Sequence, residues 1–161
     1  MRREEGLHNL LVPPQGQQLP IRSPHFLTKD HGAMRRILIT DDSQFQRKTL
    51  SAIIQKAGYE VETASNGREA LAQIEANPPH CLILDMLMPE IDGIQVLETL
   101  QAKQIRLPVI VLTADIQDWM KIRCLELGAS AFLNKPVTQD ILRMELNQIL
   151  SPSHTQDTPC R

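Results

Sequence analysis

Five polar residues stand where apolar segments end. RILIT runs into Asp41-Asp42, CLILD closes on Asp85, VIVLT closes on Thr113, and AFLN is followed by Lys135. A charge at the end of a buried segment costs free energy to desolvate unless something pairs with it. Three carboxylates brought together repel by roughly 4 kcal/mol per close pair at the effective dielectric of a protein site. They coexist if a cation sits among them or if one stays protonated. Oxygen donors without Cys or His suit a hard ion, Mg2+ or Mn2+. Lys135 adds a fixed point charge and Thr113 a hydroxyl donor. Gathered in one place, these groups suit a phosphoryl group: a metal to neutralise its oxygens, an ammonium opposite, and a hydroxyl to complete the cradle. Asp85 is then a candidate nucleophile that forms an aspartyl-phosphate.

The elements that must do this gathering are legible. Strands are expected at Arg36–Thr40, Glu60–Ala64, Cys81–Asp85, Val109–Thr113 and Ala131–Asn134. Three of them are almost continuously apolar, as parallel strands covered on both faces are. Helical periodicity fills the gaps. The first helix carries Leu50, Ile53, Ile54 and Ala57 on one face, with Ser43 as N-cap and Gly58 as its stop. The second covers Arg68–Ala76. The third opens after Asp92-Gly93 with Ile94, Leu97 and Leu100. The fourth spans Gln117–Leu127 before Gly128, and the fifth spans Gln139–Leu150 behind Thr138. Five βα units with short connections imply an α/β fold, a doubly wound five-stranded parallel sheet with right-handed crossovers. Ligands of such sheets bind at the carboxyl ends of the strands.

The 161 residues suit one domain with a real core, and 42% hydrophobic content is ordinary for a globular protein. Net charge is −2, which marks neither a nucleic-acid binder nor a polybasic membrane anchor. No apolar run approaches the ~20 residues of a membrane span, and the N-terminus is no signal peptide. Cys81, Cys124 and Cys160 are odd in number and widely spaced. The first two read as small core residues of a reducing compartment, hence a cytoplasmic protein. Four of the five histidines fall in the tails, so no histidine metal site is expected. Residues 1–33 read as a flexible extension, 34–150 as the domain, and 151–161 as a flexible tail. Met34 immediately precedes the first strand and is a candidate natural start, which N-terminal mass analysis of native protein would test.

ILITDDS, LILDMLMPEIDG, VIVLTA and FLNKP, in this order and spacing, resemble the receiver domain of two-component response regulators, a (βα)5 flavodoxin-like fold. The resemblance covers Met34 to Leu150. It implies Asp85 as phosphoacceptor, with Asp42 ligating Mg2+ directly, Asp41 assisting through water, and the backbone carbonyl of Leu87 as a further ligand. Thr113 would bond to a phosphoryl oxygen, the small Ala114 would let the backbone approach, and Lys135 would pair with the phosphoryl group ahead of a cis-Pro136. Phe132 matches the family's aromatic switch position. Leu87, two residues after the phosphoacceptor, stands where relatives often place a polar side chain that positions the hydrolytic water. With Asp115 near the pocket mouth, it is expected to alter the lifetime of the phosphoryl group. The implied phosphodonor is a histidine kinase or histidine phosphotransfer protein. The implied output is binding of a downstream protein at the fourth helix, fifth strand and fifth helix, by a stand-alone switch without nucleic acid or membrane. Association with a second copy on phosphorylation is compatible with such a switch.

Taken singly, each residue also has a bland reading. Asp41-Asp42 would serve as turn and helix cap, Thr113 as a strand-end threonine, and Lys135-Pro136 as a turn. Asp92-Gly93 reads as a turn and helix start without chemistry, Pro89 as a shaper of the same loop, and His80 as inert. Trp119, Met120 and Leu125 read as helix-face packing residues, with Trp119, if exposed, available for docking. Only the agreement of several strand ends on one pocket overturns the bland set. Two rivals share part of it. An aspartate-nucleophile phosphatase of the haloacid dehalogenase type would want an acid/base aspartate where Leu87 stands. A binding module could keep the fold without phosphorylation.

Overall fold

The computed structural model describes residues 34–114 and 117–151. The extension 1–33 and the tail beyond Ser151, including Cys160, lie outside the described residues. Alternation within the strands divides the interior into two layers. Along β1 (Arg36–Thr40), Ile37 and Ile39 face one way and Leu38 the other. β3 (Cys81–Asp85) repeats this with Cys81 and Ile83 against Leu82 and Leu84, and β4 (Val109–Thr113) with Ile110 and Leu112 against Val109 and Val111. The first set is covered by Leu50 and Ile54 of α1 (Gln44–Lys56) and by Leu142 and Leu146 of α5 (Gln139–Leu150). The second set is covered by α2 (Gly67–Ala76), α3 (Gly93–Ala102) and α4 (Asp118–Glu126). Helices on both faces are why the central strands are almost continuously apolar up to their polar last residues. With β2 (Glu60–Ala64) and β5 (Ala131–Asn134) at the edges, the sheet is parallel throughout in the order β2-β1-β3-β4-β5.

This order places a topological switch point between β1 and β3, where the chain winds away in opposite directions. Thr40 pairs with Leu84, so extending the register by one residue sets Asp41 beside Asp85. All five strands span the residues expected from the sequence. The helices differ at their ends. α2 begins at Gly67, one residue before the expected Arg68, because the Asn66 side chain accepts from the Glu69 amide at 2.8 Å and caps it there. α4 is a residue shorter at each end, with Gln117 and Leu127 as its caps. Alone among the five helices it has no side-chain hydrogen bond at its N-cap, and Gln117 instead accepts from the Trp119 indole. α1 and α4 both stop at glycines with positive φ, +90° at Gly58 and +95° at Gly128.

Two readings of individual residues are corrected. Trp119 and Leu125 do not pack. They are 58% and 46% exposed, while Met120 and Cys124 turn inward. His80 is not inert. Its Nδ1 accepts from the Arg36 amide at 3.0 Å and its own amide donates to the Arg36 carbonyl at 2.8 Å, clamping the starts of β1 and β3 together. Asp92-Gly93 is the turn and helix start read from the sequence. Asp92 and Gln95 form a reciprocal capping box, and α3 enters so close to β3 that a Cβ on Gly93 would lie 2.8 Å from the Asp85 carbonyl oxygen and 2.9 Å from the Met86 Cα. The Gly93 amide donates to the Met86 carbonyl at 3.2 Å. Cys81 and Cys124 are buried as expected, and burial pushes the Cys81 thiol up to about 12.

Because two of the three nearest atoms facing Gly93 are backbone and cannot give way, the third being the Met86 sulfur, Gly93→Ala is expected to cost about 1–3 kcal/mol through overpacking. Urea unfolding reads this as a lower midpoint with an unchanged slope. An unshifted midpoint would show that α3 can withdraw from the strand end at no cost.

Candidate functional site

At the switch point the strand ends converge as the sequence suggested. Asp41 follows β1 and is 2% exposed; Asp85 closes β3 and is 6% exposed. The ammonium of Lys135 lies 2.8 Å from Asp41 Oδ2 and 2.9 Å from Asp85 Oδ1, with only a small part of its side chain open to solvent. One cation thus serves two buried carboxylates. Breaking such an arrangement by removing the cation would leave uncompensated charge, the costly case for buried pairs. The turn after β1 is fixed locally: the Ser43 amide donates to Asp41 Oδ1 at 2.8 Å, and Ser43 in turn caps α1. Asp41 therefore spends both its oxygens on the protein.

Asp42 differs. It is exposed, and no hydrogen bond or ion pair engages its carboxylate among the described residues. One oxygen each from Asp41, Asp42 and Asp85 lie within 4.8 Å of one another. The donor set is all oxygen, two of its members are buried, and one member is unengaged. That fits a hard divalent cation, Mg2+ or Mn2+, better than zinc or copper. The contrast between an engaged Asp41 and a free-standing Asp42 agrees with Asp42 as a direct ligand and Asp41 as an indirect one.

The other site residues fall into place around this core. Thr113 ends β4 and is fully buried; its carbonyl accepts from the Lys135 amide at 2.7 Å, which ties β4 to the lysine's loop. The Lys135-Pro136 peptide is cis, as the resemblance implied. Ala114 is exposed next to Thr113. Phe132 is half-buried against the α4 side of the core. Leu87 is 60% exposed. Asp115 lies outside the described residues. Sequence reasoning passed over Arg47, whose Nη1 donates to the carbonyls of both Asp41 and Asp42. The available signal was a basic residue at the N-terminal end of a helix that starts from two aspartates. It also passed over four exposed apolar residues: Ile122, Ile141 and Met144 on α4 and α5, and Phe45 on α1.

Burial raises the pKa of Asp85 above its ordinary 3.8; contact with Lys135 opposes this, and the charges of Asp41 and Asp42 add to it. For Lys135, burial is the largest single influence and works against the ammonium. The hydrogen bonds and charges of Asp41 and Asp85 together outweigh it and hold its pKa above the usual value.

The family profile of the response regulator receiver domain matches residues 37–147, and the chain belongs to that family, the phosphorelay switches of two-component systems. The chain is 34% identical over 119 residues to the alkaline phosphatase synthesis transcriptional regulatory protein PhoP of Bacillus subtilis, covering 74% of this chain and 50% of the relative. It is 35% identical over 127 residues to the response regulator MprA of a Mycobacterium species, covering 77% and 55%. It therefore spans about half the length of these relatives. Among solved structures, chemotaxis protein CheY4 of Vibrio cholerae superposes with a TM-score of 0.69 at 33% identity, covering 73% of this chain and 100% of that one. A putative response regulator from Chloroflexus aurantiacus gives 0.70 at 35% identity, with 74% and 100% covered. Among the described residues no helix is long and apolar enough to cross a membrane.

The raised pKa of Asp85 has a consequence for stability. The folded state favours its neutral form, a contribution present below the ordinary carboxyl pKa and lost as pH rises through the raised value. Asp85→Asn keeps the neutral shape at every pH. At pH 7 the variant is expected to be more stable than wild type by on the order of 1 kcal/mol, a shift of a few degrees in Tm. The difference should shrink as pH falls toward 4. Thermal melts at both pH values measure it, and a variant less stable at pH 7 would contradict the assignment.

Proposed function

We propose that the chain is a phosphorylation-dependent signalling switch with Asp85 as phosphoacceptor. The observation that carries this reading is the shared ammonium: Lys135 bonds Asp41 and Asp85 at once, at the mouth of a sheet whose switch point is where ligands bind. An oxygen of Asp85 attacks the phosphorus of a phosphohistidine, supplied by a histidine kinase or histidine phosphotransfer protein. The P–N bond breaks, and its electron pair leaves with the imidazole. Asp41, Asp42, Asp85 and the Leu87 carbonyl would hold Mg2+, which when bound offsets the charge gathering on the phosphoryl oxygens. Lys135 pairs with the new phosphoryl group in place of the Asp85 carboxylate. The Thr113 hydroxyl donates to a phosphoryl oxygen, and the small Ala114 gives the backbone room.

The response runs through Phe132. Half-buried beneath α4, it packs inward when Thr113 closes on the product, biasing two arrangements of α4, β5 and α5. The exposed Trp119, Ile122 and Leu125 on α4, with Ile141 and Met144 on α5, support a downstream protein docking on that face. The same reading places the protein in the cytoplasm and makes protein binding, rather than turnover of a substrate, its output. Leu87 speaks against a phosphatase of the haloacid dehalogenase type, because its side chain carries no acid or base.

Intact mass after incubation with Mg2+ and acetyl phosphate is expected to show one added phosphoryl group, absent from Asp85→Asn and absent without Mg2+. No adduct in wild type, together with no beryllofluoride binding, would overturn the reading. Affinity for the downstream partner is expected to change on phosphorylation. Equal binding by wild type and Asp85→Asn, with and without phosphodonor, would favour a module that ignores its pocket.

A further inference from the structure

The β1–α1 turn carries two of the three clustered carboxylates, and one side chain holds its backbone. Arg47, the fourth residue of α1, donates from Nη1 to the Asp41 carbonyl at 2.6 Å and to the Asp42 carbonyl at 3.1 Å. The helix thereby reaches back over the turn from which it starts. On helix grounds this is a poor place for an arginine. A cation at the positive end of the helix dipole costs about 0.3–1 kcal/mol, and α1 has no acidic residue in its first turn to offset it. The charge-assisted bonds to the two carbonyls are what the placement gains. Arg47 has a second neighbour in Glu69 of α2. The carboxylate of Glu69 accepts from the amide and hydroxyl of Ser65, and its pKa is held down by those bonds first and by the charge of Arg47 as well. The charge of Arg47 is therefore felt at the start of α2 as well as in the acidic turn.

We propose that Arg47 is a positioning residue for the acidic cluster: by clasping the carbonyls of Asp41 and Asp42 it fixes where their carboxylates stand, and so raises divalent-cation affinity without touching the ion. The inference rests on the reading of Asp41, Asp42 and Asp85 as a cation site. Its sign separates it from a plain charge effect. A guanidinium near a dication repels it, so charge alone would make removal of Arg47 tighten binding. Loss of positioning makes removal weaken it.

The test titrates the full chain with Mn2+, following free Mn2+ by EPR, in 0.1 M and 0.5 M KCl; the higher salt screens the charge contribution. Arg47→Ala is expected to bind Mn2+ roughly 10-fold more weakly at both salts, the size of effect expected when an outer partner of a metal ligand is lost. Arg47→Lys keeps the charge on a shorter side chain that reaches the two carbonyls less well, and should fall between. Without metal, exchange of the Ser43 amide, which is bonded to Asp41, should quicken about 10-fold in Arg47→Ala, in keeping with that same loss, while β3 amides stay protected. If Arg47→Ala does not fold, Arg47→Lys carries both measurements. Unchanged or tighter Mn2+ binding in the Arg47 variants, while Asp42→Asn abolishes it, would overturn the proposal and leave the metal site standing. Faster exchange at Ser43 and β3 together, with Mn2+ affinity unchanged, would reduce Arg47 to a stabilising residue and overturn it too. If Asp42→Asn also left Mn2+ binding unchanged, the cation site itself would fall and the proposal with it.

Discussion

One ammonium lets like charges share the end of this sheet. Asp41 and Asp85 are both buried, they lie side by side by register, and each would be destabilised by the other without Lys135 between them. The lysine follows the last strand of the sheet, whereas Asp41 follows the first and Asp85 closes the third. The contact therefore exists only once all the intervening pairings are made: β1 on β3, β3 on β4, and β4 on β5. Pairing of Thr113 with Asn134 and the bond from the Lys135 amide to the Thr113 carbonyl set the height at which the side chain crosses. The polar site and the apolar sheet are thus specified together. A register slip of one residue would turn the core faces over and carry the cation away from its partners.

The two apolar layers have unequal tasks. The α1 and α5 side closes on itself through Ile37, Ile39, Ile83, Ile110 and Leu112, and the Tyr59 hydroxyl links its far end to Asn147 of α5. The α2, α3 and α4 side is keyed to the site's main chain instead. α3 enters against the Asp85 and Met86 backbone at Gly93, and Phe132 leans into the same layer from the edge strand. Asp85 is in this way held by the packing of one face, whereas Asp41 and Asp42 are held from the other by Ser43 and Arg47 at the start of α1.

Strand limits could be read from sequence because three apolar runs ended abruptly in charged or hydroxyl residues, a pattern that the carboxyl edge of a parallel sheet produces and few other arrangements do. Helix starts could be read where a short polar side chain preceded the periodic face, as at Ser43 and Thr138. Asn66 was passed over and α2 was set one residue late. The faces of α4 could not be read. With Trp119, Met120, Ile122, Cys124 and Leu125 within nine residues, it is apolar around most of its circumference, so periodicity does not say which side is buried. The pocket residues were legible because their types are scarce at strand ends. Gly93, His80 and Arg47 were not, since each acts through a close approach, a backbone amide or a carbonyl contributed by a segment that only the fold brings near.

The way α4 is held has a consequence of another kind. The other four helices are each capped by a side chain at the N-terminus, whereas α4 is not. An end without a side-chain cap lowers the free energy for local opening there, so this helix yields first at its N-terminus. Rigidity is spent where carboxylates must be held to fractions of an ångström, and compliance is kept where a surface must be remade. In mechanical terms the domain is a stiff anvil with one compliant leaf, and the leaf is the part that displays tryptophan, isoleucine and leucine to the solvent.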